Sequence, residues 1–300
     1  MTAIAAKALI VNEIGELLFQ LRDSRADTLF PNRWDLFGGG VLTAESPEEA
    51  LERELEEELG IKVTESTLLF KSLGNWDNVM NYVFLVKIRK NQVSEFLGEG
   101  QKKSWLAPGS IVTLDSGPLI YRNLFEIGQV LEGYHTNVFV EFENSLLDQI
   151  RLRKHSDRVY FAKGWEAAFS IRDIWKLAAV ARSRGEMIFR VCAHADQNED
   201  IQEMIICHLQ PQVVGPLRQP SGTSISFTTL EGEGVIRLYS QGQDCREVKL
   251  STSDYEGVRT LRIQADQVRA IESTVTPFIF HEVNKGPFQD SDTEWVEVFG

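Results

Sequence analysis

Apolar and β-branched residues fill Ala3 to Val11, Asn12-Glu-Ile-Gly15 offers a turn, and Glu16 to Arg22 alternates as a returning strand, so the chain is predicted to open on a β-hairpin. Three glycines, Gly38 to Gly40, precede a helical signal. Ser46 suits an N-cap, Pro47 the first helical position, and Glu49 completes a capping box. Leu51, Leu55 and Leu59 then recur on one helical stripe until Gly60 ends it. Thr67 to Leu73 and Asn81 to Lys90 read as strands, and Leu119 to Leu131 as a closing helix.

Glu132 to Asp157 is loosely patterned and carries Arg151, Arg153, Lys154 and Arg158; the domain junction is placed inside it. Ile171 to Arg182 reads as a helix. After Gly185 come short β-rich runs between turn residues, at 187–191, 204–209, 224–230, 235–240, 246–250, 258–263 and 276–283. That spacing predicts a β-sandwich or barrel. The pattern therefore predicts an α+β protein of two domains, residues 1–130 and 157–300, joined by a linker at 131–156.

Composition narrows the function classes. A net charge of -13 disfavours binding to nucleic-acid polymers or to an anionic membrane surface, since phosphate contacts need surplus Lys and Arg. Cys192, Cys207 and Cys245 show no CxxC spacing, which argues against a disulfide framework or thiolate zinc site and favours a reducing, cytoplasmic setting. The start is interrupted by Lys7 and reads as a strand rather than a signal segment.

The charge is not spread evenly. Eight glutamates lie between Glu45 and Glu58, with Arg53 as the only base among them. On an ideal helix Glu54, Glu57 and Glu58 fall within an arc of about 100° beside the leucine stripe. Like charges so close raise each other's pKa, and a hard divalent cation, Mg²⁺ or Mn²⁺, relieves the conflict through oxygen ligands while leaving positions for water and phosphate. The alternative is an ordinary acidic solvent face.

The spacing decides between them. From Gly39, five residues lead to Glu45, seven more to Arg53-Glu54-Leu55-Glu56-Glu57-Glu58-Leu59-Gly60-Ile61, a segment that resembles the Nudix box without a gap. A chance match is on the order of 10⁻⁷ from average residue frequencies. The resemblance covers about residues 1 to 130 and implies an α/β/α sandwich that hydrolyses a nucleoside diphosphate linked to a further group. It implies Glu54, Glu57 and Glu58 as catalytic metal ligands with the Gly39 carbonyl, and structural roles for Glu45, Arg53 and Gly60. Glu99-Gly-Gln followed by Trp105 resembles a segment of MutT-like Nudix enzymes and makes Glu99 a candidate ligand or base. Arg22 and Arg33 are candidate phosphate contacts because guanidinium forks match phosphate oxygens. Trp34, Phe37 and Trp76 are candidates to stack a base, against a core role.

From about Asp157 the chain resembles cupin-type proteins of the WbuC family, through Arg190-Val-Cys-Ala-His194, Gln202-Glu-Met-Ile-Ile206, Gly215-Pro216, Leu230-Glu-Gly232 and the tail from Phe280 to Phe288. Leu217, Gln219, Ile225 and Arg269 stand where metal-binding cupins carry their ligands, so the resemblance implies a jelly-roll β-barrel without its metal. His194, Arg269, His281 and Glu282 are the candidate lining of a sugar or nucleotide-sugar pocket; the alternative is a packing or homodimerisation domain.

Two functions compete. One is a Mg²⁺-dependent Nudix hydrolase acting on a small nucleoside diphosphate derivative, either a nucleotide-sugar or a modified nucleoside triphosphate. The other is a non-catalytic sensor that binds nucleotide or sugar, which an intact box disfavours.

Overall fold

In a computed structural model, residues 2–74, 77–164, 166–219, 224–240, 245–253, 256–287 and 289–297 are described, so Trp76 and Phe288 lie outside the described residues. The chain divides into two compact units, residues 1–146 and 147–300. No described helix is long and apolar enough to cross a membrane.

The first unit is built on a six-stranded sheet. Its elements are β1 (Ala3–Val11), β2 (Leu17–Leu21), β3 (Trp34–Asp35), α1 (Pro47–Leu59), β4 (Thr67–Leu73), β5 (Val79–Lys87), β6 (Lys102–Leu106), α2 (Pro108–Ile111), α3 (Pro118–Arg122), α4 (Leu124–Leu131) and the start of α5 (Val138–Gln149). The strand order is β3-β2-β1-β5-β4, with β6 on β2. The opening hairpin forms as expected, Ile10 opposite Leu18, while β1 runs parallel to β5 from Ala3–Val79 to Val11–Lys87. A central strand covered on both faces must be apolar at odd and even positions alike, and β1 is, with the one exception of Lys7. Ala6, Ala8 and Ile10 join Leu18, Phe84 and Val86 under the Leu51, Leu55 and Leu59 stripe of α1. Leu9, Val11, Leu17, Phe19 and Val83, on the other face, are equally buried.

Ser46 caps α1 as its sequence predicts: its Oγ accepts from the Glu49 N–H at 3.2 Å, and its own N–H donates to the Glu49 carboxylate at 2.8 Å. Gly60 closes the helix in the left-handed conformation. The expected helix at 119–131 is two helices, α3 and α4, broken at Asn123, whose side chain donates to the Leu119 carbonyl.

The stretch expected as a linker, 131–156, is ordered structure. Val138, Phe139, Phe142 and Leu146 of α5 are buried, and the division between the units falls within that helix. Four large apolar side chains on one helical face gain too much from burial, about 1.5–3 kcal/mol each, to remain a solvated connection.

The second unit carries β7 (Leu152–Ser156), β8 (Val159–Ala162), α6 (Ile171–Ser183), β9 (Ile188–Cys192), β10 (Ile201–His208), β11 (Val213–Arg218), β12 (Ile225–Tyr239), β13 (Cys245–Ser251), β14 (Thr260–Ile263), β15 (Val268–Lys285) and β16 (Glu294–Trp295). They form one ten-stranded sheet, ordered β13-β12-β15-β10-β9-β8-β7 with β11, β14 and β16 attached at its side. Among the described residues this sheet does not close into the barrel expected from the sequence, because its terminal strands β13 and β7 do not pair. The runs expected at 224–230 and 235–240 are one strand, β12. Its pairing with β15 shifts register repeatedly between Thr229 and Gly234. At Gly232, with φ +78°, a side chain would strike the Pro277 carbonyl, so glycine lets the two strands stay in contact through the irregularity. Phe227, Phe278, Phe280, Ile236 and Leu250 form the core of this unit.

Candidate active site

A cleft of about 370 Å³ opens in the first unit. Glu54, Glu58, Glu99, Lys7 and Arg22 are among the side chains lining it, with the backbone of Gly38 to Gly40.

The cap and the leucine stripe fix the rotation of α1, and this rotation carries Glu54 and Glu58, four residues apart, to the edge of the buried face. Glu54 lies against the Cα of Gly39, where any side chain would collide with its carboxylate. Glu58 is 5 % exposed, and its Oε2 accepts from the Gly38 N–H at 2.8 Å. Burial raises its pKa; the Gly38 N–H and the Lys7 ammonium oppose that rise, while the charges of Glu54 and Glu99 add to it. Glu99 is carried by a loop whose Gly98 N–H donates to the Glu58 carbonyl at 2.8 Å. Gln101 anchors the far side of that loop, donating from Nε2 to the Arg22 carbonyl at 2.7 Å.

Arg53 joins the glycine loop to the helix. Its Nε and Nη2 grip both oxygens of Glu45 at 2.9 and 3.2 Å, Nη2 also reaches the Gly40 carbonyl at 3.0 Å, and Nη1 reaches Glu54 at 2.7 Å. The grip of Arg53, helped by the Leu42 N–H, holds the Glu45 carboxyl below the usual carboxylate range.

Not every expected residue gathers here. The Glu57 side chain is 62 % exposed, pairs with Arg53 at 3.3 Å and does not line the cleft. The Gly39 carbonyl already accepts from the Ala6 N–H at 2.9 Å, which leaves one lone pair for any other partner. Arg22 lines the cleft and pairs with Asp35 at 3.3 Å. Arg33 instead pairs with Asp115, and Trp34, half-buried with the Lys102 ammonium 5.2 Å from its ring centre, is also outside the lining. Phe37 is fully buried in the core and cannot stack a base. Among the described residues no three carboxylate, imidazole or thiolate groups converge closely enough to form a ready-made metal cage.

Sequence reasoning missed Lys7. It is buried, donates to the Gly38 carbonyl and lines the cleft. The available signal was a single cation inside an apolar run that reads as a fully buried strand.

The four residues expected to line one pocket of the second unit do not do so. His194 is buried, with Nδ1 against the Glu203 main chain at 3.0 Å, and His281 lies 4.0 Å from the Glu203 carboxylate. His281 and Glu282 are neighbours on β15, so their side chains leave opposite faces of the sheet. Only Arg269 and Glu282 remain on a common side.

A capped helix that presents carboxylates to a glycine loop, in a cleft that also holds Lys7 and Arg22, fits a hydrolase of phosphate anhydrides. Residues 1–123 match the NUDIX domain family. Nucleoside triphosphatase NudI of Escherichia coli is 32% identical over 124 residues, which cover 36% of this chain and 83% of that protein; NudI of Shigella flexneri matches with the same figures. Among solved structures, the MutT protein of Methanosarcina mazei is 26% identical, covering 45% of this chain and 96% of that one, with a TM-score of 0.38. The chain belongs to the Nudix family and is a Nudix pyrophosphohydrolase.

Proposed function

We propose that the first unit hydrolyses the diphosphate linkage of a nucleoside triphosphate with the help of a divalent cation, Mg²⁺ or Mn²⁺. The observation that carries this reading is the meeting of Glu54, Glu58 and Glu99 with Lys7 and Arg22 in one cleft. Three oxygen-donor side chains, two of which push up the pKa of the third, suit a hard cation. Glu54, Glu58 and Glu99 would hold it, with the remaining lone pair of the Gly39 carbonyl. Once bound, the cation would polarise a phosphoryl oxygen and acidify water.

The protein's own groups account for the rest. Arg22 and Lys7 bind phosphate oxygens, and the Arg53 clasp keeps the glycine loop at a fixed height above the helix. Water oxygen bonds to phosphorus as the P–O bond bridging the α and β phosphates breaks; Glu99 takes the water proton, and the leaving group, pyrophosphate or the nucleoside monophosphate, departs with the bridging oxygen. The triphosphate reading rests on the name of the NudI relatives and on Glu99-Gly-Gln with Trp105. A nucleotide-sugar is the second reading, and it rests only on the resemblance in sequence between the second half and cupin-type proteins.

Nucleotides and nucleotide-sugars assayed with Mg²⁺, with products identified by mass spectrometry, separate the two. Pyrophosphate with a nucleoside monophosphate supports the first; a sugar phosphate with a monophosphate, or a free sugar with a nucleoside diphosphate, supports the second. Wild-type turnover no faster than Glu54→Gln or Glu58→Gln on every compound would refute both and leave a binding module.

A further inference from the structure

The cleft of the first unit carries a second polar group, on the sheet rather than on α1. Ser72 of β4 and Asn81 of β5 stand directly opposite each other in the antiparallel register, so their side chains leave the same face. Ala5 of β1 is the partner of Asn81 on its other side. Ala3, Ala5, Ser72, Asn81 and Leu119 all line the cleft. The methyl groups of Ala3 and Ala5 leave that face of the sheet open beside the amide.

Neighbours fix what the two polar side chains can offer. Asn81 is 8 % exposed, and its Nδ2 donates to the Val79 carbonyl at 3.2 Å and to the Ser72 carbonyl at 3.4 Å. Both amide hydrogens are thereby used, and turning the amide over would set Oδ1 against two carbonyl oxygens. The Oδ1 has no partner among the described residues and is not sealed from solvent, so it is an acceptor open to the cleft. Ser72 is set the other way. The Asn123 Nδ2 donates to the Leu119 carbonyl at 2.7 Å and to Ser72 Oγ at 3.2 Å; that oxygen already accepts, and its own hydrogen has no acceptor among the described residues. An oriented acceptor and an oriented donor therefore stand side by side in the cavity.

We propose that Ser72 and Asn81 read the nucleobase of the substrate by its Watson–Crick edge, a proposal that rests on the nucleotide reading of the cleft and adds to it the group that is recognised. Each common base carries on that edge an N–H donor beside an acceptor atom. The base N–H donates to Asn81 Oδ1, the Ser72 hydroxyl donates to the neighbouring base acceptor, and the ring lies over Ala3 and Ala5. Asn123 is a positioning residue, since its amide keeps the serine turned as a donor. A site built to accept a substrate N–H rejects an analogue that lacks it, because the protein's own polar group is then left unpaired.

Steady-state hydrolysis of the common nucleoside triphosphates with Mg²⁺ by the full chain identifies the preferred base. That nucleotide is then compared with purine riboside or pyrimidin-2-one riboside triphosphate of the same sugar, whose rings keep a nitrogen acceptor but carry no N–H on that edge and no added bulk. We expect kcat/KM to be lower for the analogue by about tenfold or more, chiefly through KM. Asn81→Ala should close most of this gap by raising KM for the natural nucleotide, and Ser72→Ala should raise the same KM with kcat retained. Should Asn81→Ala fail to fold by circular dichroism, Ser72→Ala decides. Equal use of natural nucleotide and analogue by the wild type, a gap that survives Asn81→Ala, or an unchanged KM in Ser72→Ala overturns the proposal alone. If the wild type hydrolyses no nucleoside triphosphate, the triphosphate reading of the cleft fails and takes the proposal with it.

Discussion

The two units solve opposite electrostatic problems. In the first, α1 brings negative charge to the cleft from residues four apart, and one arginine with four partners organises it. In the second, the lone guanidinium of Arg269 is buried by strands that meet only after the sheet has folded back, Arg269 and Asn284 both donating to Gln219. The first arrangement is local, and a helix alone dictates it; the second exists only in the finished tertiary structure. A charge cluster written in consecutive residues can be retained and copied as a motif, whereas one assembled from residues 219, 269, 282 and 284 leaves no contiguous trace.

The largest effect should come from breaking the local arrangement. Glu58→Gln keeps the shape of the side chain but removes its charge, and we expect kcat to fall by roughly 10²–10⁴, measured under saturating nucleotide. A fall of less than tenfold would show that Glu58 is only a packing residue.

The next effect belongs to the second unit. His208 is buried between Phe278 and Phe280, and burial pushes its pKa down to about 4. The native imidazole is therefore neutral where the unfolded one, with a value of 6.5, takes a proton. This contribution to stability is complete above pH 6.5 and is lost as pH falls toward 4, about 3 kcal/mol in all. Urea unfolding of wild type and His208→Phe between pH 7 and 5 should show a steeper acid loss for the wild type; parallel curves would contradict it.

The smallest effect sharpens the role of the helix. Ser46→Ala removes the side-chain cap of α1 and should cost about 1 kcal/mol of stability, read from the denaturant midpoint. If the rotation of α1 sets the carboxylates, turnover should fall with it, and unaltered stability would mean that packing of the leucine stripe alone holds the helix.

How much could be read in advance follows the same division. The hairpin, the capped helix and the glutamate ridge depend on neighbours in sequence, so periodicity and spacing expose them. Helix α5 was missed because Glu141, Glu143, Asn144 and Asp148 interrupt its apolar stripe and no cap announces it. Strand β12 is divided in the sequence pattern at Gly232 and Gly234, which read as breakers in isolation but occur where two long strands bend together, and of β15 the pattern shows only the later part, 276–283. Glu57 is grouped with its neighbours by helical geometry and by the resemblance to the Nudix box. That geometry fixes direction around the axis but not where the cleft wall ends, and Glu57 lies beyond it.

Glu58 is held twice, by its side chain through the Gly38 N–H and by its main chain through the Gly98 N–H. The glycine loop and the Glu99 loop are thus hung from opposite ends of one residue, and the second attachment does not involve the carboxylate at all. Glu58→Gln keeps an oxygen to accept from the Gly38 N–H as well as the main-chain attachment, so a chemically silenced protein should still present the cleft in its working shape and can serve as a faithful trap for the enzyme's substrate.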